Sequence, residues 1–311
     1  MRQGDVLNVA DLPVVQPDGA IQTYPTPDGV VLLSQTCDVV LSARRTVVIA
    51  PVVRLEGDSL KQARKGLRPR YVAVPDRDDD VFADLDVIAT LEKNALVGMV
   101  TGDPRSEEAS ERRFGRGVAR RFGRFAFPDE VVPWLTPLAD VVTSKYGKDS
   151  SEALALEAVV ELRVESESGW AAPPYDLTLV VVVRAGTLPE LEEEQQFTPP
   201  PSLQQWLRNR DGALRRTSGE IANRLFARQS GADGALTASP HERYHLWLAL
   251  ADSWAAKCAP RGAASSNQPV LEAVAGGVVT PDIVSDDEYP LSRYRRSERL
   301  DVEHLSPPAP V

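Results

Sequence analysis

His241-Glu242-Arg243-Tyr244-His245 matches the pattern His-Glu-x-x-His letter for letter. On a helix, that spacing sets two imidazoles one turn apart with a carboxylate beside them, the arrangement that holds zinc and polarises its bound water. A third ligand would have to come from Glu272 or His304, and neither lies in a second motif. Two features oppose the metal. Arg243 sets a cation beside the place a dication would occupy. Ser239-Pro240-His241-Glu242 also reads as a helix start, with a serine N-cap, proline at N1 and glutamate at N3 closing a capping box. Glu242 then already has a structural task. No cofactor is predicted; zinc at His241 and His245, serving a hydrolase, stands as an alternative.

Arginine carries the second candidate chemistry. Residues 106–125 read as a helix that Ser106 caps and that Glu107 and Glu108 favour at its positive end. Phe114, Val118, Phe122 and Phe125 share one face of it, and Arg112, Arg113, Arg116, Arg120 and Arg124 lie opposite. Guanidinium forks suit phosphate, so these five are the predicted nucleic-acid-binding residues. The competing reading is an interface helix that docks an acidic protein partner, since Gly115, Gly117 and Gly123 weaken the isolated helix. Near the C-terminal end, Arg293, Arg295, Arg296 and Arg299 surround Tyr294, but acidic neighbours account for them by local pairing.

A third set, Thr36, Cys37 and Asp38, follows an apolar run directly. Cys37 as nucleophile or Asp38 as general base would need an activating group, and the nearest histidine in sequence is His241. The plainer expectation is a small buried core thiol at Cys37 and a turn shaped by Asp38.

The elements that must carry these groups are mixed. Residues 6–10, 30–33, 47–49 and 71–74 are short strand-like runs parted by Pro17-Asp18-Gly19, Pro27-Asp28-Gly29 and Glu56-Gly57-Asp58. Residues 131–148 look helical with proline interruptions; 158–165 and 177–184 read as an antiparallel pair, one edge and one buried strand. Residues 203–209, 219–229 and 240–258 are helical, with a capping box at Thr217 and Glu220. The expected division is a domain over 1–190, an acidic and proline-rich linker over 191–201, and a mainly helical domain over 202–311.

Composition sets the outer bounds. The chain has 311 residues, 42% of them hydrophobic, with a formal net charge of −10. It has two cysteines, far apart, and no long apolar run or signal-peptide core, so a cytoplasmic protein without membrane contact is expected. The overall charge repels polyanions, so nucleic acid would need a local basic face.

Arg2-Gln3-Gly4-Asp5-Val6, then Val30-Val31-Leu32-Leu33-Ser34, then Val47-Val48-Ile49-Ala50-Pro51, resembles in order and spacing the MazF/PemK-like toxins. That resemblance covers about the first 55 residues and implies an SH3-like barrel of a type that cleaves RNA. The family's Arg-Pro pair before its second apolar strand is replaced by Asp28-Gly29, and its hydroxyl residue after the third strand's proline by Val52-Val53-Arg54. An aspartate in place of the arginine opposes phosphorane charge. The resemblance thus implies the barrel without the nuclease. The expected fold is α+β: an N-terminal SH3-like small β-barrel elaborated by a helix and a β-hairpin, followed by a helical C-terminal unit. The expected function is a non-catalytic or divergent nucleic-acid-associated component of a prokaryotic toxin–antitoxin or phage-defence type system. A zinc hydrolase and a partner-docking subunit are the alternatives.

Overall fold

Apolar residues at 30–33 and 47–52 alternate in the direction they face, and all but Val48 are buried. A computed structural model describes residues 1–64, 68–99, 108–123, 125–228 and 236–301, and it is a mixed α+β structure. The chain forms two compact units, 1–124 and 125–311.

In the first unit, β1 (Val6–Leu7), β2 (Asp11–Val15), β3 (Ile21–Pro25), β4 (Val30–Leu32), β5 (Thr46–Arg54), β6 (Tyr71–Ala73), β7 (Val81–Asp84) and β8 (Ala89–Glu92) are accompanied by α1 (Thr36–Val40) and α2 (Gly57–Arg64) between strands and α3 (Glu108–Phe122) after them. The main sheet runs β1-β4-β5-β7-β6, with β8 also on β5, and β2-β3 form a separate hairpin. β5 is the spine: residues 46–49 pair with β8, and 52–54 pair with β7. Val31, Ala50 and Val52 pack on one side with Val72, Val74 and Phe114. Val30, Leu32, Val47 and Ile49 pack on the other with Leu7, Leu12 and Leu96. Burial on both faces explains why β4 is continuously apolar. The expected barrel is not what these strands build. β1 and β6 stand at opposite ends of the order and do not pair, so no sheet closes.

In the second unit, α4 (Val132–Lys145) and α5 (Ser151–Ala158) precede β9 (Val159–Ser166) and β10 (Leu177–Val183). There follow α6 (Glu193–Phe197), α7 (Pro201–Leu207), α8 (Ser218–Leu225), α9 (Pro240–Ala255), α10 (Gln268–Glu272), β11 (Thr280–Ser285), α11 (Leu291–Tyr294) and β12 (Ser297–Arg299). β9 and β10 are the expected antiparallel pair. Neither is an edge, because the order is β11-β10-β9-β12 and the C-terminal strands flank both. The expectation of a helical C-terminal domain is corrected by these two strands: β11 runs parallel to β10 and β12 antiparallel to β9. The boundary at 191–201 is displaced too. That stretch lies inside the second unit, contains α6, and is held by two histidines of α9 through the carbonyls of Gln195 and Thr198. One core, centred on Trp134, Leu179, Trp247 and Trp254, spans the whole unit. Among the described residues, no helix is long and apolar enough to cross a membrane.

Candidate anion-binding cleft

α3 is fixed to the sheet by two residues of its expected apolar stripe. Phe114 is 1% exposed, and Val118 packs beside it against the core that includes Val6 and Val72. A Cβ at Gly117 would stand 2.6 Å from Val72 Cγ1, so glycine there lets the helix backbone approach β6 closely. The stripe ends sooner than its periodicity predicts. Phe122 is exposed, and Phe125 belongs to the second unit, its ring centroid 5.2 Å from those of Phe127 and Trp170.

The arginines of α3 divide by partner. Arg112 pairs with Glu108 one turn back. Arg121, outside the predicted set, donates to Asp86 Oδ1 at 2.7 Å. Asp86 also pairs with Arg70, which grips buried Asp84 through bonds of 2.7 and 2.6 Å. Arg120 is half-buried and has a partner of its own. Arg113 and Arg116 are exposed, and among the described residues neither lies within ion-pair distance of a carboxylate. Arg124 lies outside the described residues.

Beside α3 is a cleft of about 410 Å³ within the first unit. Arg113 and Arg120 line it from the helix, Arg64 and Arg68 from α2 and the chain after it, and Arg77 from the β6–β7 turn. Asp76, Asp78 and Asp79 are its acidic residues, so five arginines and three aspartates line it among the described residues. Arg64 is tied to Asp79, donating to its carbonyl at 3.1 Å. Arg68 is held by neutral groups: Nε donates to Gln62 Oε1 at 2.6 Å and Nη1 to Ser59 Oγ at 3.3 Å. Tyr71 also lines the cleft, half-buried, with the Arg70 guanidinium 5.0 Å from its ring centroid. Burial pushes its phenol pKa up. Sequence reasoning missed Arg64, Arg68, Tyr71 and Arg77. They carry no local motif, and only the pairing of β6 with β7 brings them opposite α3.

The other candidates are placed differently. Thr36, Cys37 and Asp38 form most of α1, and Cys37 is exposed, which corrects the expected core thiol. The Gln3 backbone N–H donates to Thr36 Oγ1 at 3.1 Å, and Lys93 Nζ donates to the carbonyls of Asp38 and Leu41 at 2.6 and 2.7 Å. These bonds anchor a short helix between strands. The two positions where the resemblance would set catalytic groups meet each other: Arg54 stands 3.5 Å from Asp28, 3.4 Å from Asp78 and 3.0 Å from Asp80. Hydrogen bonding to Asp80 leads the causes that raise its pKa. Its charge is already compensated.

In the second unit, α9 opens with the predicted capping box at Ser239 and Glu242. Glu242 also accepts from Arg224 at 2.8 Å. The rings of His241 and His245 lie 5.2 Å apart, as the spacing predicts. Each Nε2 is 2.8 Å from a backbone oxygen, His241 at Thr198 and His245 at Gln195. A carbonyl only accepts, so both Nε2 atoms carry protons, and each ring keeps its lone pair on Nδ1. Among the described residues, no three His, Cys, Asp or Glu side chains gather to hold an ion; His304 lies outside them. Three of the four C-terminal arginines are paired, though not with the neighbours the sequence suggested. Arg293 binds Glu165 at 2.6 Å and also Asp282, while Arg296 and Arg299 reach Glu165 and Glu161 on β9. No protein-family model matches this chain, and no curated protein matches it.

Proposed function

We propose that this protein is a non-catalytic or divergent nucleic-acid-associated component of a prokaryotic toxin–antitoxin or phage-defence type system. In this reading its open N-terminal sheet is a departure from the SH3-like barrel of the MazF/PemK-like toxins. The observation that carries the reading is the exposed pair Arg113 and Arg116, without a carboxylate partner among the described residues, on a chain of net charge −10. Two uncompensated guanidinium groups on one helix make a local positive field that suits phosphates. An acidic protein surface is the second occupant the same field would accept. The zinc-hydrolase alternative finds no third ligand gathered beside His241 and His245 among the described residues.

Binding of RNA and DNA, measured across a salt series, tests this. Affinity is expected to fall with salt, and Arg113→Gln with Arg116→Gln to reduce the slope of log K against log salt by about 1.4 to 1.8, the value for two phosphates. No binding at low salt, or identical slopes, would leave a partner-docking helix. Cleavage is not expected, because Arg54 is compensated by Asp28, Asp78 and Asp80. Mixed RNA incubated with the protein without divalent metal should stay intact; discrete fragments that vanish with Arg54→Ala would reverse this.

A further inference from the structure

The α3 cleft has more than charge. Its volume of about 410 Å³ falls in the range that holds one small ligand, roughly 300 to 1,000 Å³, and a duplex does not fit such a space. Of its three aromatic rings, Phe82 and Phe114 are buried and Tyr71 is half-exposed. Two of its guanidinium groups, Arg68 and Arg113, lack a carboxylate partner among the described residues and stand on different walls. An aromatic edge combined with uncompensated arginines is the chemistry that takes a base and a phosphate together.

We infer that the cleft binds a single nucleoside phosphate unit, with its phosphate on Arg68 and Arg113 and its base against Tyr71. This goes beyond the polyanion reading and shares only Arg113 with it. The unit has two sources, a free mononucleotide or the phosphorylated end of a strand.

Calorimetric titration of the full chain with inorganic phosphate, adenosine, adenosine 5′-monophosphate and a single strand with or without a 5′-phosphate tests the inference. The monophosphate is expected to bind at least about tenfold more tightly than phosphate or adenosine alone. Arg68→Gln should weaken it by about tenfold or more, the value of a charged hydrogen bond. Tyr71→Leu should weaken the monophosphate and leave inorganic phosphate unchanged, while Tyr71→Phe retains both; equal melting temperatures establish that the variants fold. Preference for the 5′-phosphorylated strand identifies a strand end as the source, and binding of the monophosphate alone identifies a free nucleotide. Two results overturn the inference: no binding of the monophosphate, or affinity unchanged by both Arg68→Gln and Tyr71→Leu. If the strand binds equally with and without its end phosphate and ignores both variants, the inference fails and the polyanion reading stands. Monophosphate binding without strand binding at any salt does the reverse.

Discussion

The proton on Nε2 of His245 stays in place whether the ring is neutral or charged, so that ring titrates at Nδ1. Burial lowers the pKa of His245, and the neighbouring His241 lowers it further, while the Gln195 carbonyl partly opposes them. The unfolded chain then takes up this proton more readily than the folded one. The stabilisation is complete above an ordinary histidine pKa of about 6.5 and is lost as pH falls through that value towards the folded pKa. Melting temperature is therefore expected to drop between pH 7.5 and 5.5, with a smaller drop in His245→Gln; an equal drop would assign the effect to other groups. Gly117 offers a second test at this scale. Alanine would favour the helix by about 1 kcal/mol, but its Cβ would meet Val72 Cγ1 at 2.6 Å and Cγ2 at 3.1 Å. Val72 is buried and branched, with little room to turn, so overpacking at about 1–3 kcal/mol should win. Denaturant unfolding should show Gly117→Ala less stable, and Val72→Ala should remove most of that added loss. The sequence made the reactive residues easy to find but misjudged Cys37. Its burial depends on which strands flank α1, and nothing local records that.

Elements whose signals span three or four residues were legible. The capping boxes at Thr217 and Ser239 form as their spacing requires, because both partners lie on one turn. Ser239→Ala should cost about 1 kcal/mol, measured by chemical denaturation, and Ser239→Thr should recover most of it. A loss beyond about 2 kcal/mol would mean that Ser239 does more than cap. Elements that depend on distant partners were not legible. β11 and β12 are short and largely polar in sequence, and their strand character comes from the open edges of β10 and β9. Arg163 supplies part of that attachment: it is 5% exposed, donates to Ser297 Oγ at 2.7 Å and to Glu161 at 2.7 Å, and lies 3.9 Å from the Tyr294 ring centroid. The basic run that the sequence explains by pairing with its acidic neighbours instead helps fasten the C-terminal strand to β9.

For the whole molecule, the sequence located the acidic and proline-rich stretch, which lies inside the second unit. Composition at 191–201 suggests a segment with nothing to pack; α6 buries no residue of its own, but it contacts α9, and the carbonyls of Gln195 and Thr198 meet His245 and His241. A cut after residue 124 separates the two units, while a cut after 201 divides one core. Fragments 1–124 and 125–311 are each expected to melt cooperatively, and fragments 1–201 and 202–311 to aggregate or lack a transition. Cooperative melting of 202–311 alone would restore the boundary read from sequence.

The parallel pairing of β10 with β11 also has a consequence for how the chain is made. Thr178 and Thr280, hydrogen-bonded neighbours across the two strands, are 102 positions apart. A ribosome adding about 5–20 residues per second needs roughly 5–20 s to cover that distance. Throughout that interval, the continuous valine face and open edge of β10 wait in a nascent chain that has not yet supplied their cover. Codon usage between these strands, and a holdase acting on the emerging chain, therefore bear on the yield of this protein more than on its final stability.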